Sequence, residues 1–242
     1  MDRGDPGRYP VRRPLSRLRV ELHCHTNWSG DCGVEPRHLV EAAQCKGIDV
    51  LAVTDHSQID GAFEAQAIGA LPVIIGEEIK TDRGELLGYF LQEFIPPGMS
   101  VLDTARAIKE QGGIVSVPHP FDRHRSSAIE REALHEVVGE LDMVEVFNSR
   151  NISDADNAAA RQFQEERGLI AAVGSDAHSR MELARSHQEI KPFDGARDFL
   201  AKMAGAQLTT RKSSHLIHFV STYQKLRKRL TGRGIPAGLR RQ

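Results

Sequence analysis

The chain has 242 residues, 40% hydrophobic and 27% charged, with 32 Lys+Arg against 33 Asp+Glu and a formal net charge of −1. That composition is long and apolar enough to bury a core unaided by disulfides. It excludes a disordered or collagen-like chain, and no apolar run reaches the ~18–20 residues of a membrane span. The balanced total hides an asymmetry. Residues 1–19 carry six Arg and two Asp, and residues 223–242 carry seven basic side chains and no acid, so residues 20–222 hold a net of −12.

In chain order, residues 1–17 contain three prolines and little apolar content and read as a flexible basic arm. The pattern predicts a strand at LRVEL (18–22), a helix at PRHLVEAAQCK (36–46) with Pro in its first turn, a buried strand at IDVLAV (48–53) and a helix at AFEAQAIGA (62–70). Strands LPVIIG (71–76) and ELLGYFL (85–91) precede a helix at 100–111, capped by Ser100 with Asp103 in its first turn. There follow GIVSV, a helix around 127–139, DMVEVF (142–147), a helix around 153–167, LIAAVG (169–174), QEI and a helix from about 194. Residues 213–242 read as a basic helix and tail, with Phe219, Tyr223, Leu226 and Leu230 at helical spacing.

Wholly apolar strands alternating with amphipathic helices predict a parallel sheet covered on its outer face. A βα barrel is preferred to an open doubly wound sheet, because polar clusters follow nearly every strand. A barrel brings all strand C-termini to one mouth, whereas an open sheet keeps distant ones apart.

His23 and His25 stand two apart in ELHCHT and so share a face, with Cys24 pointing to the other side. Asp31 follows in a short loop. Asp55 and His56 end the second strand, Glu77 and Glu78 the third, His119 the fifth, Glu145 and Asn148 the sixth, and Asp176 and His178 the seventh. Each cluster alone is weak, but six strand-like runs ending in His, Asp or Glu exceed coincidence. Imidazoles and carboxylates without thiolates suit divalent Zn, Mn or Fe, and the number of donors exceeds the needs of one ion. The three cysteines lack paired spacing and read as reduced thiols of a cytoplasmic protein.

The set H-x-H-T, T-D-H, G-x-E, H-P and S-D-A-H, in this order, resembles the PHP (polymerase and histidinol phosphatase) superfamily over about residues 20–210. The likeness is greatest to its stand-alone metal-dependent phosphoesterases. It implies a distorted seven-stranded (β/α)7 TIM-like barrel over residues 18–212 and a centre of two or three divalent ions. His23, His25, Glu78 and Asp176 would surround one ion. Glu78 would bridge to a second, held also by His119, and Asp31, His56 and His178 would hold a third. A histidine common in the family before L-G-Y is here Glu85, either a replacement ligand or a solvent-facing carboxylate. Asp55 is expected behind the ligands, orienting a histidine.

The implied reaction is attack of a metal-activated water on a small phosphorylated metabolite or nucleotide, without a side-chain nucleophile. Arg123, Arg150 and Arg180, with Asn148, are the candidate donors to the phosphate. Two alternatives stand beside it. One is an amidohydrolase-like hydrolase of a C–N bond, which has no evident carbamylated-lysine site here. The other is a non-catalytic or nucleic-acid-associated PHP module, which the basic ends leave open. No membrane partner is expected, and the oligomeric state has no sequence signal.

Overall fold

The computed structural model describes residues 16–214. Nine strands form one sheet: β1 (Leu18–Glu21), β2 (Val50–Val53), β3 (Val73–Thr81), β4 (Gly84–Tyr89), β5 (Ile114–Val117), β6 (Met143–Asn148), β7 (Ile170–Gly174), β8 (His187–Ile190) and β9 (Gln207–Thr209). The sheet order is β7-β6-β5-β4-β3-β2-β1-β8-β9. Past their ends, β1 and β7 meet in a parallel bridge between Cys24 and Ala177, with His25 N–H donating to Ala177 O at 2.9 Å. Strands β1–β7 thus curl into a nearly closed barrel, and the closure is made at the mouth. β8 and β9 extend the other side of β1 and account for the two strands beyond the expected seven.

The all-parallel expectation needs correction. β4 is antiparallel to both β3 and β5, and β8 is antiparallel to β1 and β9. Only two residues separate β3 from β4, which suffices for a hairpin but not for a crossover of a dozen residues. The hairpin sets Glu85 opposite Lys80, close to Glu78 on the neighbouring strand.

Alternation along the strands divides the core. Val20, Val50, Ala52, Ile74, Leu87, Ile114, Met143 and Ala172 fill the barrel interior, where Phe193, Phe199 and Met203 join them. Their neighbours Leu51, Val53, Ile75, Val115, Val117, Val144 and Val173 face the helices. Helix α1 (Pro36–Cys45) starts with Pro at its first turn and buries Pro36, Leu39, Val40 and Ala43, one stripe at helical spacing. α2 spans Asp60–Ala67 and α3 Val101–Glu110, where Ser100 accepts from Asp103 N–H as its N-cap. α4 (Arg131–Val137) starts later than the periodicity predicts, because residues 126–128 form a turn, with Ala128 N–H donating to Arg125 O, and Glu130 is extended with its N–H donating to Arg83 O. α5 (Asp154–Arg167) is capped by Ser153 and ends at Gly168 with φ +64°, and α6 spans Gly195–Met203.

Of the basic arm, residues 1–15 lie outside the described residues; Arg17 is described and donates to Glu189 O. The proposed C-terminal helix lies outside them as well. No helix among the described residues is long and apolar enough to cross a membrane. The three cysteines are free, Cys24 and Cys32 buried and Cys45 exposed. Cys24 sits in the helix-facing layer, opposite its flanking histidines, as strand geometry requires.

Candidate metal centre

At the barrel mouth the interior turns polar, and Glu78 stands at its centre. Its carboxylate lies 3.3 Å from His23 Nε2, 3.4 Å from His25 Nε2, 3.0 Å from His56 Nδ1 and 3.0 Å from His119 Nε2. Asp176 Oδ1 lies 3.2 Å from His25 Nε2 and 3.7 Å from His23 Nε2. Asp31 reaches His178 Nε2 at 3.2 Å and His56 Nε2 at 3.6 Å. Glu85 Oε1 lies 3.8 Å from His56 Nδ1. The nine residues expected to hold metal are therefore together, and all but His56 are buried. Two of them, His119 (φ +29°) and Asp176 (φ +51°), hold left-handed backbone that β-strand ends do not need for their own sake. Such strain gathers where a side chain must be aimed.

The hydrogen bonds behind the cluster fix ring orientation. Ser29 has one hydroxyl hydrogen, given to Asp55 Oδ1 at 2.7 Å, so at 3.1 Å from His25 it accepts from Nδ1–H. His25 Nε2 is left with its lone pair facing the cluster. Asp55 also accepts from Thr26 N–H at 2.6 Å and Thr26 Oγ1–H at 2.5 Å. It thus orients His25 through Ser29 rather than by direct contact. Gly61 of α2 makes room for this, since a Cβ there would overlap the Asp55 carboxylate. His23 Nδ1 lies 2.9 Å from Glu145 Oε1, and Glu145 Oε2 accepts from His119 N–H at 2.9 Å. Asn148 Nδ2 donates to Glu145 Oε2 at 2.8 Å and to Asp176 Oδ2 at 3.3 Å, so it braces carboxylates instead of waiting for a phosphate.

The electrostatics follow the packing. Burial opposes ionisation of Glu78, but the charges of His56 and His23 outweigh it and hold its carboxyl well below the usual range. Asp176 is likewise held well down against burial, by Arg125 and His23. Burial, then the charges of His178 and His56, keeps His25 well below an ordinary imidazole, which leaves it neutral, as a metal ligand must be. Glu85 is raised by burial and by the Glu78 charge, a carboxylate short of positive charge. Just outside the cluster, burial pushes Glu77 up to about 8, with one backbone N–H from Ile95 in opposition.

A cation fits this donor set. His25 Nε2, His178 Nε2, Glu85 Oε2 and Asp176 Oδ1 are buried without a well-formed hydrogen bond, although His25 Nε2 lies 3.2 Å from Asp176 Oδ1 and His178 Nε2 3.2 Å from Asp31 Oδ1. Four triplets (His25, His56, His178; His23, Glu78, His119; His23, His25, Asp176; His56, Glu78, Glu85) each offer ligand atoms within 4.8 Å of one another.

The arginines are sorted differently from expectation. Arg123 has a side chain 69% exposed and pairs with Asp156 at 2.9 Å. Arg180 is exposed. Arg150 is buried with Nη1 against His178 Nδ1 and Nε 3.5 Å from Glu182. The residue that sequence reading missed is Arg125. Its Nη2 donates to Asp176 Oδ2 at 2.7 Å, and its Nη1 lies 3.2 Å from His119 Nε2. HPFDRHR offers two arginines in one loop, and nothing in their spacing says which turns inward. Trp28 is committed to α2 through a hydrogen bond from Nε1 to Glu64 at 3.0 Å.

A family profile described as PHP domain matches residues 21–207. An uncharacterized protein of Methanocaldococcus jannaschii is 40% identical over 147 residues, which is 54% of this chain and 82% of that protein. A second from the same organism is 34% identical over 177 residues, 70% of this chain and 69% of its own length. Among solved structures, a two-domain Bacteroides vulgatus protein containing a predicted PHP-like metal-dependent phosphoesterase superposes with a TM-score of 0.64 at 17% identity, covering 87% of this chain and 70% of that one. A lesion-specific endonuclease of Pyrococcus furiosus gives 0.60 at 16% identity, covering 79% and 57%.

Proposed function

Because the chain belongs to the PHP domain family, we propose that it is a metal-dependent phosphoesterase acting on a small phosphorylated metabolite or nucleotide at a centre of two or three divalent ions. The observation that carries this reading is Glu78, a fully buried carboxylate with four imidazole nitrogens within 3.4 Å. A protein gains little by gathering four imidazoles around one carboxylate unless cations are to be held there.

His23, His25, Glu78 and Asp176 would hold one ion, Glu78 and His119 a second, and Asp31, His56 and His178 a third. The thiolate-free donors suit Zn, Mn or Fe. When bound, such ions acidify a water so that a nucleophile exists at neutral pH, and they draw charge from the phosphoryl oxygens. The chain's own groups do the rest. Glu145 and the Ser29–Asp55 pair hold the rings of His23 and His25 in register. Arg150 and Arg125 bring positive charge to a mouth otherwise lined by Asp31, Glu78, Glu85 and Asp176, so an anionic ester is not repelled. The free thiols fit a cytoplasmic setting.

The test is release of inorganic phosphate after chelation and reconstitution with Mn, Zn or Fe, across nucleotides, sugar phosphates and an oligonucleotide. Metal-dependent release supports the reading. Turnover of C–N substrates with every phosphoester inert would replace it with the amidohydrolase-like alternative.

Two narrower outcomes are expected. Glu145→Gln should loosen metal by about 10–100-fold, the usual cost of losing a carboxylate behind a ligating histidine, while leaving the count at saturation unchanged. Titration calorimetry with Mn measures both. Glu85→Ala should lower the saturating count by one and Glu85→His should restore it. An unchanged metal content in Glu85→Ala would remove Glu85 from the ligand set.

A further inference from the structure

Arg125 stands where a ligand's partner should. Its guanidinium bridges two residues of the cluster, His119 Nε2 at 3.2 Å and Asp176 Oδ2 at 2.7 Å. His119 Nε2 is also 3.0 Å from Glu78 Oε1. These two contacts are incompatible in one protonation state. A guanidinium only donates, so it needs the Nε2 lone pair; a carboxylate only accepts, so it needs an Nε2 proton. A cation between His119 and Glu78 satisfies both of those residues, but it uses the lone pair that Arg125 takes.

The rest of the loop holds the backbone of Arg125 more firmly than its guanidinium. Arg125 backbone N–H is tied to Asp122 O and its carbonyl to Ala128 N–H, so the loop is pinned at the backbone. Apart from the cluster, the guanidinium has one weak contact among the described residues, 3.4 Å from Nε to Asp122 Oδ2, and its side chain is 19% exposed. A change of partner at the guanidinium therefore needs rotation about side-chain bonds only, with the loop backbone in place.

We propose that Arg125 and the divalent ion beside His119 are alternative partners of the His119 Nε2 lone pair, so that metal loading expels the Arg125 guanidinium from the cluster into the mouth. This rests on the cluster being a metal centre. Arg125 then acts as a positioning residue. It neutralises the carboxylates and keeps the ligands apart until the ion arrives, and it becomes available to an anionic ligand afterwards.

The experiment compares chelated and Mn-titrated wild-type protein with Arg125→Ala and, as a control for loss of a nearby positive charge, Arg180→Ala. Arg125→Ala should tighten one Mn binding event on the order of tenfold, the worth of a charge-assisted hydrogen bond that the ion no longer has to break. The same variant should melt lower than wild type when chelated, by several degrees, and no lower when loaded. A loss of stability confined to the chelated state, together with tighter Mn binding, is the signature. A brace that stays put would lower both melting temperatures and leave affinity unchanged or weaker, and that result overturns the proposal. Equal tightening in Arg180→Ala would assign the effect to charge alone and overturn it too. Crystals of the Mn-loaded protein should show Arg125 away from Asp176 Oδ2, and a retained contact beside a bound ion at His119 also defeats it. If wild type binds no Mn, Zn or Fe at all, the metal reading falls and takes this with it. If wild type binds metal and Arg125→Ala binds it identically, this inference alone falls.

Discussion

Glu78→Gln is expected to cost at least one ion per chain and to reduce phosphate release by three orders of magnitude or more, about 4 kcal/mol of barrier. No other carboxylate among the described residues faces four imidazoles. The two oxygens of Glu78 face His23, His25, His56 and His119, and Glu85 shares its triplet with His56. Glutamine keeps the volume and one oxygen but has no negative charge, and its amide nitrogen donates only and offers no lone pair to an ion. The fold should survive, because glutamine fills the same buried volume. Chelated Glu78→Gln should therefore melt within a few degrees of chelated wild type. Metal content by elemental analysis and phosphate release under saturating Mn check the two halves of the expectation. His25→Ala and Asp176→Ala should behave alike, losing metal and turnover together. Full activity in Glu78→Gln with an undiminished metal count would dismiss the bridging role.

Much of this centre is legible in the chain because each ligand is local to a strand end. His23 and His25 share a face by strand periodicity alone, and Cys24 is correctly sent to the core by the same rule. Recurrence of acid or imidazole after successive buried strands implies a shared mouth, and a barrel is the arrangement that supplies one. What depends on pairing between distant segments is not legible. The hairpin that reverses β4 is written only in the shortness of the 82–83 turn. The bridge from Cys24 to Ala177, which closes the barrel, leaves no mark in either segment. Ser29 is a loop serine like any other until Asp55 and His25 meet it from two strands. The arginines show the limit most plainly. Arg123 and Arg125 are two apart in one loop, and a hydrogen bond to Asp156 on α5 draws the first outward while Asp176, after β7, draws the second in.

A single methyl group at Gly174 should do nearly as much damage as removing a ligand. Gly174 is the last residue of β7, two before Asp176, and the sequence offers no reason for glycine there beyond a strand ending. In the structure its missing side chain is what lets three strands converge. A Cβ would lie 2.6 Å from His23 Cβ and overlap Glu145 Oε1 outright. Glu145 cannot simply turn away, because its other oxygen accepts from His119 N–H and Asn148 Nδ2. Gly174→Ala therefore pushes apart the Glu145–His23 pair that sets the His23 ring, and through Glu145 it disturbs His119 on the opposite side of Glu78. Overpacking of this kind costs ~1–3 kcal/mol of stability. The loss of ring orientation should loosen metal by at least the 10–100-fold expected for Glu145→Gln. The double variant Gly174→Ala with Glu145→Ala separates the causes. Removing the obstructing carboxylate should recover melting temperature without recovering metal affinity, whereas recovery of neither would mean that the clash with His23 dominates.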